Sequence, residues 1–279
     1  MIADIIPPMK LKFFVYHENN LEKPYLPQED FYANHENIFV VADGITHDLQ
    51  DGLYPSPSDS AEVAKIICST FISELKNTEK ELSDIKRAVK IINQKVMKFN
   101  RSSELYKNRE NNAFTIGAVV FALIIIKKDK LIYYVLDDSF FSIFSDDLVD
   151  HPTLKSYVNI SAEYYKAHYD WTKPEERKAW RKDYRNNSFE IDGQTLGYGA
   201  IDGREGFDKF VQCGEESLKS NDLICLYTDG FIPAMKDTRF VKEIKNSEFS
   251  IESSDFISKY TKRNKMHKEK TCYFIKCID

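Results

Sequence analysis

Two apolar runs of this chain end in aspartate-glycine: Ile38-Phe39-Val40-Val41-Ala42-Asp43-Gly44 and Leu223-Ile224-Cys225-Leu226-Tyr227-Thr228-Asp229-Gly230. Such a run reads as a buried strand that delivers a carboxylate to the rim of a sheet. The glycine lets the backbone turn sharply and approach a ligand. One such pair is an ordinary turn signal; two matched strand ends say more. Further acids stand in similar settings: Glu29 and Asp30 close a polar loop, and Asp137 and Asp138 follow an apolar run. Carboxylates gathered in one place repel one another unless a cation compensates. With oxygen ligands and no histidine–cysteine cluster beside them, Mg²⁺ or Mn²⁺ is the expected cation, not zinc. Two such ions lower the pKa of a shared water and clamp a phosphoryl group for in-line attack.

The elements that must carry these acids can be read from periodicity. Strands are expected at 10–17 and 37–43, with a polar loop between them that ends in Pro27-Gln28-Glu29-Asp30. A helix opens at Asp59, where Asp-x-x-Glu with Glu62 offers an N-cap. Ala64, Ile67, Cys68, Phe71, Ile72 and Leu75 then share one face. A second helix presents Leu82, Ile85, Val89, Ile92, Val96 and Phe99 in the same way. Strands at 114–126, 131–136 and 140–144 are joined by short connections, which predicts antiparallel neighbours. Their continuous apolar runs predict burial on both faces. Residues 150–200 hold both tryptophans and dense charge, and read as a helical insertion or flap. A strand at 222–228, a loop-helix stretch at 231–261 and a closing strand at 271–278 complete a layered α+β pattern, not a doubly wound parallel sheet.

At 279 residues the chain suits one large domain or two small ones, and 42% apolar content supports a substantial core. A net charge of −5 gives no global footprint for nucleic acid. Five cysteines, mostly within apolar runs and without a CxxC pair, suggest reduced thiols and a cytoplasmic protein. Phe114–Ile126 falls short of the ~20 residues that a membrane helix needs. Met1–Pro8 is apolar but lacks a basic lead and a small-residue cleavage site. No membrane association is expected, and the sequence carries no signal for oligomeric state.

Taken in order, the motifs resemble those of the metal-dependent serine/threonine phosphatases of the type 2C family. Gln28-Glu29-Asp30 is similar to the family's acidic segment, and Val41-Ala42-Asp43-Gly44 to its metal motif. Val135-Leu136-Asp137-Asp138-Ser139 resembles its glycine-aspartate-serine turn. Asn221-Asp222 with Leu226-Tyr227-Thr228-Asp229-Gly230-Phe231 resembles a later strand and turn, and Thr271-Cys272-Tyr273-Phe274-Ile275 the last strand. The resemblance spans nearly the whole chain, with 150–200 the least matched. It implies a single domain folded as a four-layer αββα sandwich, two antiparallel sheets flanked by helices, with two Mg²⁺ or Mn²⁺ ions at one end. Asp43 would bridge both ions, the Gly44 carbonyl would bind one and Asp229 the other. Glu29 and Asp30 would bind metal or orient its waters. Phosphorylated protein is the implied substrate. Asp138 and Ser139 would shape their turn.

The sequence departs from that pattern in three places. The arginine that grips substrate phosphate in the family is here Tyr25, with Lys23 nearby. The metal aspartate of the closing motif aligns with Lys268, which cannot ligate a cation while protonated. Its neighbour Glu269 becomes the replacement ligand after a one-residue shift, with Asp279 a weaker candidate. The turn glycine is Asp137, a residue type tolerant of unusual backbone angles. The basic run from Lys259 to Lys270 reads as a solvated loop or as an overhang supplying the positive charge missing at Tyr25. His47 is a candidate general acid or an incidental loop residue. Arg177, Arg181 and Arg185 belong to a substrate flap or to plain packing. The functional readings that follow are a phosphoprotein phosphatase, a non-catalytic relative that binds phosphoproteins or a signalling partner, and an unrelated metal-dependent phosphoesterase.

Overall fold

The computed structural model describes residues 10–47, 54–103, 116–148 and 150–278. Two five-stranded antiparallel sheets stack face to face, each with helices on its outer side. One sheet has the order β10 (Val211–Ser217), β5 (Lys130–Leu136), β4 (Val119–Lys127), β3 (Ile38–Gly44), β2 (Phe31–His35). The other runs β1 (Lys10–Glu18), β12 (Lys270–Ile278), β11 (Leu223–Tyr227), β6 (Phe140–Phe144), β7 (Asp150–His151). This is the expected α+β sandwich of four layers.

The apolar runs explain the layers. In β3, Ile38, Val40 and Ala42 face one core, under helices α1 (Asp59–Leu75) and α2 (Leu82–Ser102). Phe39 and Val41, at the alternate positions, face the other sheet. β11 does the same in mirror image. Leu223, Cys225 and Tyr227 pack outward, against the face that carries Phe240, Val241 and Ile244, while Ile224 and Leu226 point between the sheets. A strand apolar at every position is thus sandwiched on both faces, as its sequence predicts.

Helix α1 is capped by Ser58, whose hydroxyl accepts from the Ala61 amide at 3.3 Å; Asp59, expected as the cap, is the first helical residue. α2 begins with a capping box between Glu81 and Asp84. Beyond β11 the chain adds short α5 (Ile232–Met235), then α6 (Thr238–Asn246) and α7 (Ile251–Arg263) over the second sheet, numbered after α3 and α4 below.

Several expectations change. β2 and β10 are strands that the sequence reading passed over; both are edge strands with partly exposed faces, so neither shows a continuous apolar run. β4 begins at Val119, while Phe114 and Thr115 of the expected strand lie outside the described residues, as do Met1–Pro8 and Asp279. The larger correction concerns β6. It is not an antiparallel neighbour of β5 but crosses to the second sheet, where it pairs with β11. Asp137, at φ 57°, redirects the chain there, and β10 takes the vacated edge of β5. Cys213 is exposed, unlike the other four cysteines, which are buried and free.

Residues 157–196 form α3 (Tyr157–His168), α4 (Pro174–Tyr184) and a hairpin, β8 (Phe189–Ile191) with β9 (Gln194–Leu196). Tyr165, Trp180 and Tyr198 make a small aromatic core there, joined by Trp171 and Tyr184. The Asp137 carboxylate ties this unit to the sandwich by accepting from the Val158 amide at 2.9 Å and the Gly199 amide at 3.0 Å.

Candidate metal centre

Every acid-bearing strand end named above reaches one end of the sandwich. β3 ends in Asp43 and Gly44, the turn after β5 carries Asp138, β11 is followed by Asp229, and Glu269 precedes β12. All five line one cavity of about 460 Å³, together with Glu29, Lys23, Tyr54, Trp180, Arg181, Tyr198 and Lys268.

Asp30 is 2% exposed at the base of this group. Its Oδ2 accepts from the hydroxyls of Thr228 at 2.7 Å and Thr271 at 2.8 Å. Its Oδ1 is buried with no hydrogen-bond partner. Ligand oxygens of Asp30, Asp43 and Glu269 lie within 4.8 Å of one another. Glu269 is aimed by the Glu29 amide, which donates to its Oε2 at 2.9 Å. The Glu29 carboxylate lies behind, accepting from Tyr54 at 2.6 Å and from Ser58.

Both glycines of the opening motif are required by close approach. A Cβ on Gly44 would lie 2.6 Å from the Glu29 Cβ, and one on Gly230 would lie 2.2 Å from the Glu269 carbonyl oxygen. Each aspartate-glycine turn is therefore pressed against the backbone of another acid of the site, which only a residue without a side chain permits.

The electrostatics are those of crowded carboxylates. Burial, with Asp30, Asp229, Asp138 and Glu269 around it, holds the Asp43 carboxyl well above its ordinary range. Burial also raises Asp30 to about 7, against the pull of its two threonines, and raises Glu29 to about 7. Burial and the nearby Asp229 raise Asp138 to about 7, and burial with Asp30 raises Glu269 to about 8. A divalent cation would relieve this repulsion. The Asp30, Asp43 and Glu269 group suits one: the donors are all oxygens, and a buried carboxylate oxygen of Asp30 lacks a donor.

The Asp229 side does not suit a second ion. The Lys268 ammonium sits 2.5 Å from Asp229 Oδ2. Burial acts to lower the Lys268 pKa, but Asp229, Asp43 and Asp138 outweigh it and hold the ammonium above its ordinary value.

His47 adjoins the site through its backbone, its amide donating to the Tyr54 hydroxyl at 3.0 Å, but its ring turns elsewhere. It is 4% exposed and outside the cavity lining. Its Nε2 accepts from the Ser60 amide at 3.2 Å, in the first turn of α1. A ring nitrogen used as an acceptor by a helix N-terminus does not face a leaving group, so the general-acid expectation has no geometry behind it.

The three flap arginines separate. Arg185 is 1% exposed, over the Tyr198 ring and 4.0 Å from Asp202. Arg177 donates to the Trp171 carbonyl at 2.8 Å. Arg181 lines the cavity. In the basic run, Lys268 also lines it, whereas Lys270 is fully buried against Glu18 at 3.1 Å. Tyr25, at the expected phosphate-arginine position, is 79% exposed.

Asp138 sits in the expected turn, and from there it also lines the cavity wall. Two acids after an apolar run were the signal, but the positive φ of Asp137 decides which one faces the cavity. Tyr54 had no sequence signal, and Trp180 had only its place in the segment read as a flap. Among the described residues no helix is long and apolar enough to cross a membrane.

Neither a protein-family model nor a curated protein sequence matches the chain. Solved structures do. The Mycobacterium tuberculosis serine/threonine phosphatase PstP superposes with a TM-score of 0.66 at 14% identity, over 96% of this chain and 99% of that one. The catalytic domain of PstP in complex with two manganese ions gives 0.66 at 14% identity, over 97% of this chain and 100% of that one. The S. agalactiae serine/threonine phosphatase gives 0.64 at 12% identity, over 97% and 100%. The chain has the fold of serine/threonine phosphatases of the type 2C kind, the family that its motifs resemble.

Proposed function

We propose that this protein hydrolyses phosphoserine and phosphothreonine in proteins, using Mg²⁺ or Mn²⁺ held by Asp30, Asp43 and Glu269, with the Gly44 carbonyl beside them. The observation that carries this reading is the group of three acids that includes Asp30, whose Oδ1 is buried with no hydrogen-bond partner. Bound there, such an ion contributes Lewis acidity toward the phosphoryl oxygens and acidifies the attacking water.

The chain's own residues do the rest. Thr228 and Thr271 hold Asp30 in one orientation, and the Glu29 amide holds Glu269. Fixing ligands through such outer contacts is what keeps a metal site in shape. Lys23 and Arg181 bring positive charge to the cavity wall, where the family's phosphate arginine is replaced by the exposed Tyr25. Arginine suits this task because its planar fork meets phosphate oxygens two at a time. The reading takes direct attack by water on the phosphoryl group, with no phosphoenzyme. The reading includes a cytoplasmic signalling role on phosphorylated proteins, without nucleic acid; the acidic balance supports the last point and the free cysteines the compartment.

The test is phosphate release from phosphothreonine and phosphoserine peptides and from an aryl phosphate, with Mn²⁺ or Mg²⁺ added. Activity that Asp43→Asn abolishes supports the reading. A folded protein that stays inert on all three substrates with either metal sinks it.

The Lys268–Asp229 pair favours a second reading, a protein of the same fold that binds phosphoproteins without cleaving them. Calorimetric phosphopeptide binding that is unchanged by metal, with no turnover, would select it.

A further inference from the structure

We propose that the Lys268 ammonium is the resident cation on the Asp229 side of the cavity, so that the centre takes one divalent ion and a lysine in place of a second. The inference rests on the metal-centre reading and names its stoichiometry.

Lys268 and Glu269 are adjacent in the chain but serve opposite sides of the site. Glu269 joins Asp30 and Asp43. Lys268 places Nζ 2.5 Å from Asp229 Oδ2. The backbone that carries them has little freedom. The Glu269 carbonyl lies against Gly230, where a Cβ would come within 2.2 Å, and the Glu269 carboxylate is held by the Glu29 amide. Lys270, next in line, is fully buried against Glu18. Lys268 is thus anchored on a turn that packs against the Asp229-Gly230 turn, whose acid it neutralises.

A protonated lysine has three donors and no lone pair, so it cannot share a cation with Asp229; it can only compete with one. Asp43 and Asp138 add to the field that holds the ammonium. A second ion would have to displace the lysine and then sit beside its positive charge. Asp30 experiences no such competitor: its free oxygen is buried and its partners are neutral hydroxyls. The two sides of the cavity therefore differ in kind, one open to a metal and one already neutralised.

The experiment is a Mn²⁺ titration followed by the paramagnetic resonance signal of the free ion. It compares the intact protein with Lys268→Asp and Lys268→Met. The lysine side chain is 71% exposed, so neither change removes core packing; circular dichroism checks the fold. One tight ion per chain is expected in the wild type and two in Lys268→Asp. In Lys268→Met, with the competing charge gone, a second ion should bind at least about tenfold more tightly than any second binding by the wild type. Two ions of similar affinity in the wild type would overturn the proposal and leave the metal-centre reading standing. A single ion in all three proteins would overturn it as well. No ion in any of them would overturn both.

Discussion

Asp30 is a carboxylate with two unlike oxygens. Two threonine hydroxyls fix one of its oxygens, while the other is buried and lacks a donor. A buried unsatisfied acceptor is costly, and a proton or, on the proposed reading, a cation relieves it. Thr271 is fully buried and isosteric replacement is available. Thr271→Val should therefore weaken Mn²⁺ binding by about 10–100-fold, as loss of a supporting contact does at metal sites; a calorimetric titration reads it directly. Asp43→Asn acts differently, because it removes a ligand and also one of the repelling charges. It should abolish turnover while leaving the metal-free protein at least as stable as the wild type, which thermal unfolding in chelator would show.

At the scale of elements, the site depends on turns that pass unusually close to one another. Gly230 meets the Glu269 carbonyl, a backbone atom that cannot swing aside. Gly230→Ala should cost about 1–3 kcal/mol, the usual penalty for overpacking. A melting temperature lower by several degrees would be its signature, and no change would contradict the packing argument. The unit of residues 157–196 is the other element with a defined job. α4 places Trp180 in the small aromatic core and its neighbour Arg181 on the cavity wall. Arg181→Ala should raise KM for a phosphopeptide by about tenfold or more with a smaller effect on kcat, because it removes phosphate binding and not the attacking water. Equal effects on both constants would assign it another role.

For the molecule as a whole, the crowded acids couple stability to pH and to metal. Glu269 rises from its ordinary 4.5 to about 8, and Glu29 from 4.5 to about 7. Asp30 and Asp138 rise from 3.8 to about 7. Each acid holds its proton more tightly in the folded state than in the unfolded chain. Their contribution is therefore fully present below about pH 4 and is lost as pH climbs through 7 and 8. From these groups, the metal-free protein should melt at a progressively lower temperature between pH 5 and 8, and saturating Mn²⁺ should reverse the trend. At about a hundredfold excess over Kd, binding adds about 2.7 kcal/mol. Metal-induced stabilisation that shrinks with rising pH would contradict the picture, because the ion and the protons compete for the same oxygens.

The strands, the two long helices and the acids that end the strands were legible in the sequence because each depends on local order. An apolar run with a carboxylate and glycine at its end, or an apolar stripe at helical spacing, is complete within a few residues. β3, α1, α2, β11 and β12 are of this kind, and so are Asp43 and Asp229. What tertiary structure decided was everything that depends on which ends meet. The crossing of β6 to the second sheet follows from one positive φ at Asp137, and the edge strands β2 and β10 carry too weak a pattern to stand out. His47 faces a helix N-terminus and not the cavity, which no spacing reveals. Lys268 and Glu269 were both named from alignment with a motif, but only folding sends one to Asp229 and the other to Asp30 and Asp43. A chain's local pattern sets which acids reach the rim of a sheet; the approach of distant segments, measured in ångströms, sets which of them meet.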